Sequence, residues 1–232
     1  MAGVYVRLEY AGYQSKDLLI FKDEGTYTIT IPTELNNYIT NSTTAQVIVI
    51  AETWDSYHTS GYNYTLVGTN STYITVTTTD DGISAGTLTV DINETAIEGL
   101  YIQNHTDLRV SFSGVSPSNG ASIANTKITY ASQSVNITDG STSGSFTTGY
   151  IPNSGTITFT LTITDSRGYT KSTSISKTFL AYQPPQITTF TADRYLENGV
   201  MDSRGSICKT TVAWTYTTLD GNNSIVVNKI DV

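Results

Sequence analysis

Thr156-Ile157-Thr158-Phe159-Thr160-Leu161-Thr162-Ile163-Thr164 alternates a threonine with a large apolar residue without a break. Successive side chains of a β-strand point to opposite faces. The spacing therefore predicts a strand with Ile157, Phe159, Leu161 and Ile163 toward a core and the threonines toward water. Shorter versions of the pattern occupy residues 26–31, 73–77, 88–92 and 108–112. Residues 47–50 form a continuous apolar run, which reads as a strand covered on both faces. Threonine, valine, isoleucine and tyrosine suit a pleated surface because β-branched and aromatic side chains pack well there. Strong helix formers are scarce, and only residues 33–38, preceded by Pro32, read as a helical turn.

The turns agree with an antiparallel arrangement. Asp165-Ser166-Arg167-Gly168 follows the nine-residue strand and precedes another Thr/Ser-rich one. Aspartate can bond its own backbone and glycine can take a positive φ, so this stretch predicts a hairpin turn. Asp220-Gly221 predicts a second hairpin, between strands at 212–217 and 224–230. Many short strands with a turn every 8–12 residues point to all-β sandwiches.

Composition narrows the function classes. The chain has 232 residues, which suggests two to three small sandwiches. Only 14% of residues are charged and the net charge is −8. Nucleic acid and anionic membrane surfaces demand clustered lysine and arginine, so neither is an expected partner. The single cysteine, Cys208, forms no intramolecular disulfide and reads as a small buried residue. With His58 and His105 it is too little for a zinc site, and no metal or cofactor is expected. No apolar run is long enough for a transmembrane helix, and the first residues do not predict a signal peptide.

An internal repeat is visible. Residues 73–76 lead through Asp80-Asp81-Gly82 into a strand that closes on Asp91; residues 178–182 lead through Pro184-Pro185 into one that closes on Asp193. The two aspartates stand about one immunoglobulin-sized domain apart. The expected organisation is a string of sandwiches at 1–80, 81–183 and 184–232, the last about half a domain. Its completion is expected from downstream sequence, from packing on the second domain or from another subunit.

The block Thr162-Ile163-Thr164-Asp165-Ser166-Arg167-Gly168-Tyr169-Thr170, then Tyr182-Gln183-Pro184-Pro185-Gln186-Ile187, then Phe190-Thr191-Ala192-Asp193-Arg194, resembles a group of minor structural tail proteins of siphophages that infect Gram-positive bacteria. Two other stretches are similar to the same group: Ile31-Pro32-Thr33 through Asn41-Ser42-Thr43-Thr44 to Ala51-Glu52-Thr53-Trp54, and Gly99-Leu100-Tyr101-Ile102-Gln103-Asn104. The resemblance implies tandem immunoglobulin-like or fibronectin III-like β-sandwiches. It also implies a virion component of the tail tip or a tail fibre, with other tail proteins as partners and a homo-oligomer as one assembly. It transfers no catalytic residue. Two rival readings share the composition: a bacterial cell-surface adhesin or stalk, and a carbohydrate-binding accessory module of a larger enzyme.

The stretch 54–64 carries the candidate ligand site, Trp54, Tyr57, Tyr62 and Tyr64, for a host cell-wall saccharide. Rigid amphipathic rings offer contact area at low entropy cost, and neighbouring polar groups supply hydrogen bonds. The competing reading is a hairpin whose rings cover a sheet edge and a domain junction. His58 and His105 could serve as general bases, yet no Gly-Xaa-Ser-Xaa-Gly elbow accompanies them, and no enzymatic activity is expected. Asp55, Asp91 and Asp193 could join a Ca²⁺ site, but their spacing is not that of an EF-hand. The Asn-Xaa-Ser/Thr sequons at Asn41, Asn63, Asn70, Asn104 and Asn136 follow from the threonine content.

Overall fold

The computed structural model describes residues 3–21, 25–55 and 65–224. Among them the chain is all-β, with one 3₁₀ turn at Thr33–Tyr38. The strands are β1 (Gly3–Tyr10), β2 (Tyr13–Gln14), β3 (Leu19–Phe21), β4 (Thr44–Trp54), β5 (Leu66–Thr77), β6 (Thr87–Thr95) and β7 (Thr106–Ser113). They continue with β8 (Ile123–Tyr130), β9 (Gln133–Ile137), β10 (Gly144–Tyr150), β11 (Gly155–Asp165), β12 (Thr170–Phe179), β13 (Gln186–Tyr195) and β14 (Ile207–Thr215). No helix among the described residues is long and apolar enough to cross a membrane.

Four sheets result. The first runs β2-β1-β4-β5, with β3 also on β1; the others are β10-β7-β6, β12-β11-β8-β9 and the ribbon β13-β14. By backbone proximity the chain falls into two compact units. One holds Met1–Thr89, Ser111–Ser145 and Phe159–Ile175; the other holds Val90–Val110, Phe146–Thr158 and Ser176–Val232.

The deciding stretch lies in β11. Ile157, Phe159, Leu161 and Ile163 are buried, and Phe159 stacks on Tyr130 with ring centroids 5.2 Å apart. The alternate threonines are exposed or partly so, but water is not their only partner. The hydroxyls of Thr156, Thr158, Thr160 and Thr162 meet those of Thr178, Ser176, Ser174 and Ser172 across β12. Such cross-strand hydroxyl pairs add a few tenths of a kcal/mol each, about 0.2–1.

In the first unit, Leu8, Leu35, Ile39, Val47 and Val76 form a core cluster. β1 and β4 pair with Leu8 opposite Val49, and β4 and β5 pair with Val47 opposite Ile74, which puts these side chains on one sheet face. The 3₁₀ turn covers one end of that face by burying Leu35, and Ile39 follows it. Proline suits the entry to a helical turn because its φ is preset, and Pro32 stands there at φ −62°.

Three expectations are corrected. Residues 26–31 alternate but form no strand, because no strand among the described residues pairs with them. Of the run 47–50, only Val47 is fully buried; Ile48, Val49 and Ile50 are half-buried. Cys208 is exposed: it lies opposite Arg194 on the β13-β14 ribbon, which no third strand flanks among the described residues. The expected strand at 224–230 lies outside the described residues, apart from Ser224.

Candidate functional site

Of the four aromatic candidates for ligand contact, Tyr57, Tyr62 and Tyr64 lie outside the described residues, as does His58. Trp54 ends β4, opposite Gly3 and Leu66. Its indole N–H donates to Glu52 Oε2 at 3.3 Å, and Glu52 is buried. The other Glu52 oxygen takes an ion pair from Arg7, whose Nε donates to Glu9 at 3.1 Å; Gln14 Nε2 also donates to Glu9. Trp54 thus terminates a polar row, Gln14–Glu9–Arg7–Glu52–Trp54, that crosses β2, β1 and β4. A carboxylate this buried needs a cation and a donor, and Arg7 and Trp54 supply them. Asp55 closes the base of the same hairpin, its Oδ1 accepting the Thr65 N–H at 2.8 Å and its own N–H donating to the Thr65 carbonyl.

The most elaborate polar arrangement in the first unit stands where a plain hairpin turn was predicted. Asp165-Ser166-Arg167-Gly168 does join β11 to β12, with the Gly168 N–H donating to the Asp165 carbonyl at 3.0 Å and Gly168 at φ +95°. The tip is not solvated. Arg167 is 6% exposed, and its guanidinium donates to four main-chain carbonyls: Ile39 (2.6 Å), Asn36, Asn119 (2.6 Å) and Thr79 (3.5 Å). Nη1 also donates to the Ser118 hydroxyl at 3.2 Å. That hydroxyl in turn donates to Asp165 Oδ2. The other carboxylate oxygen accepts the N–H groups of Arg167 and Tyr169, each at 3.0 Å. The Tyr169 hydroxyl donates to the Thr78 carbonyl at 2.6 Å, and the Ser166 hydroxyl donates to that of Thr40.

The arrangement draws three distant pieces of chain onto one turn: 36–40, 78–79 and 118–119. Gly120 is required for it. At φ +84° a side chain is strained, and a Cβ there would collide with Asn37, the Asn36 carbonyl and Arg167. Desolvating the guanidinium is offset only because almost every N–H finds an oxygen. Chemically the cluster binds and orients. It holds a buried cation and a buried anion joined by one hydroxyl.

In the second unit a different turn does a similar task with apolar chemistry. Residues 218–223 fold back, the Gly221 N–H donating to the Thr218 carbonyl at 3.0 Å and the Asn223 N–H to the same oxygen at 2.9 Å. Leu219, at φ +48°, is buried. It lines a cavity of about 140 Å³ together with Ala96, Ile97, Ile102, His105, Tyr182 and Asn223. His105 packs edge-on to Tyr182, with centroids 4.6 Å apart. The His105 N–H donates to the Ile102 carbonyl, so this residue sits in a structural turn.

Asp91 and Asp193 do not gather with Asp55: no group of three His, Cys, Asp or Glu able to hold a metal ion occurs among the described residues. Asp193 faces Lys209 across the β13-β14 ribbon, and Arg204 pairs with Asp202 at 3.1 Å on the surface.

The residues that sequence reading missed are Arg167, Asp165, Ser118 and Tyr169. The available signal was an arginine at a hairpin tip in a chain with few charges. Its partners are mostly backbone carbonyls, which leave no trace in residue identity. Comparison with known protein families, curated proteins and solved structures finds no match to this chain.

Proposed function

We propose that this chain is a non-enzymatic structural component of a phage virion, placed at the tail tip or in a tail fibre. It is built of tandem immunoglobulin-like or fibronectin III-like β-sandwiches and assembles with other tail proteins. The observation that supports this reading is the Arg167 cluster. A protein that spaces modules needs modules that hold their own shape. Hydrogen bonds are directional and weaken steeply away from linearity, whereas apolar contact is non-directional. A turn tip that spends its guanidinium on carbonyls of residues 36, 39, 79 and 119 fixes in direction how separate stretches of one unit meet. The low charge and the hydroxyl ladder on β11 and β12 suit an exposed, extracellular-facing surface.

Purified particles test the reading. Mass spectrometry should find the chain in gradient-banded virions at a fixed stoichiometry, and antibody against it should label the tail. Recovery from a bacterial wall fraction, with none in particles, would replace the reading with the adhesin or stalk. Host attachment is assigned to the Trp54 hairpin. Tyr57→Ala with Tyr62→Ala should weaken binding to host cells at an unchanged melting temperature, and unchanged binding would remove attachment from the proposal.

A further inference from the structure

The cavity of the second unit has walls that are pinned from outside it. They come from residues 96–105, Tyr182 and 219–223, all within that unit. The Ala96 N–H donates to the His105 carbonyl at 3.2 Å, and the Asn104 N–H donates to that of Ile151 at 2.7 Å. The Tyr182 N–H donates to Gln103 Oε1 at 3.2 Å, while Gln103 Nε2 donates to the Pro152 carbonyl at 2.9 Å. Asn223 is held twice, by its N–H on the Thr218 carbonyl and by Nδ2 on that of Thr217 at 2.8 Å. Leu219 and Asp220 take positive φ in succession, +48° and +56°. Turns of that kind favour asparagine and glycine. A leucine in this conformation is strained, and strain persists where the surrounding structure holds it. Here it sets a buried apolar side chain against the cavity.

The lining joins a buried apolar part to a wetter polar one. Ile102 and Leu219 are buried, whereas His105, Tyr182 and Asn223 are half-buried and Ala96 is exposed, so solvent reaches the space. Its volume is about 140 Å³. An apolar cavity of about 150 Å³ holds a benzene ring, so a group of a few heavy atoms enters and a whole sugar with its hydroxyls does not. None of the lining residues is Asp, Glu, Lys or Arg. A charged group would lose its hydration there without a counter-charge. A wholly apolar group is no better matched. The His105 imidazole and Asn223 Oδ1 have no hydrogen-bond partner among the described residues, and hydrocarbon over them would leave both unsatisfied. Because Asn223 Nδ2 is engaged by Thr217, the amide offers its oxygen, which requires a donor from the ligand.

We infer that this cavity binds the acetamido group of an N-acetylated sugar. That group is neutral and small, and it carries a methyl, one N–H and one carbonyl. The methyl packs on Ile102 and Leu219, the amide N–H donates to Asn223 Oδ1, and the imidazole N–H of His105 donates to the carbonyl. The pyranose ring stays at the mouth against Tyr182, a rigid amphipathic ring held edge-on to His105. The site shares no residue with the Trp54 hairpin, and the inference does not rest on the virion role.

Saturation-transfer NMR on the 232-residue chain tests this, with N-acetylglucosamine, glucosamine, glucose and Nε-acetyl-lysine as probes. N-acetylglucosamine should bind with its methyl protons the most strongly saturated. Glucosamine and glucose should bind at least about tenfold more weakly, the size of one lost hydrogen bond. His105→Ala should weaken N-acetylglucosamine binding by about the same factor. Ala96→Phe, which fills the mouth from an exposed position, should abolish it at an unchanged melting temperature. Binding of glucose or glucosamine as tight as that of N-acetylglucosamine overturns the inference. So does binding that survives both substitutions, or no saturation of any sugar. Tighter binding of Nε-acetyl-lysine overturns the sugar in favour of an acetylated protein side chain.

Discussion

Two turns in this protein share a grammar and anchor by opposite means. The turn at 165–168 and the turn at 218–221 each close with a glycine N–H donating three residues back at 3.0 Å. Each places a side chain into a neighbouring stretch of chain. At the first it is Arg167, met by carbonyl and hydroxyl oxygens. At the second it is Leu219, met by Ile97, Ile102 and Tyr182 around a cavity. The first anchor gains orientation at the cost of desolvating a charge. The second gains burial free energy and leaves orientation less defined. Turn chemistry therefore says where a hairpin reverses, and the side chain at its tip says whether the reversal is also a joint.

The largest effect is expected at the polar anchor. Arg167→Ala removes a donor from four carbonyls, of which that of Asn36 keeps the Ile39 N–H, and takes the cation away from the Ser118 hydroxyl that bonds Asp165. Breaking a buried charged network by removing one partner typically costs ~3–5 kcal/mol. Urea unfolding of the variant should show a loss of that size. Arg167→Lys should recover less than half of it, because one ammonium cannot reach donors spread around a planar fork. Full recovery by lysine would mean that charge alone matters and that the joint is not directional.

Leu219→Ala should cost ~2–3 kcal/mol, at the lower end for a buried leucine, because the adjoining cavity already limits its packing. Its signature is local: exchange should speed at residues 96–105 and 218–223. A global effect as large as that of Arg167→Ala would erase the distinction between the two turns. Ser118→Ala should be smallest, ~1–2 kcal/mol, since it removes one hydroxyl that links Asp165 to Arg167 while both keep other partners. A loss matching that of Arg167→Ala in urea unfolding would show instead that the hydroxyl relay dominates the cluster.

The limits of the sequence are visible at particular residues. Alternation located β11 and the buried set Ile157, Phe159, Leu161 and Ile163, because period two is a local property of an extended chain. It misplaced a strand at 26–31, because a strand also needs a partner, and pairing is not local. It put Cys208 indoors on propensity, whereas burial there depends on what lies over the ribbon. It nominated Trp54 for its ring, and the structure adds that the indole N–H is engaged by Glu52.

The sequence by itself determined the strand periodicity, the positions of the reversals at Gly168 and Gly221, and the 3₁₀ turn after Pro32. Each rests on backbone preferences of a few neighbouring residues. Only the tertiary structure decided that the tip of one turn is a buried arginine and that 36–40, 79 and 118–119 converge on it. Those acceptors are main-chain carbonyls, present at every residue alike. Which of them meets a given guanidinium is settled by where the folded chain brings them.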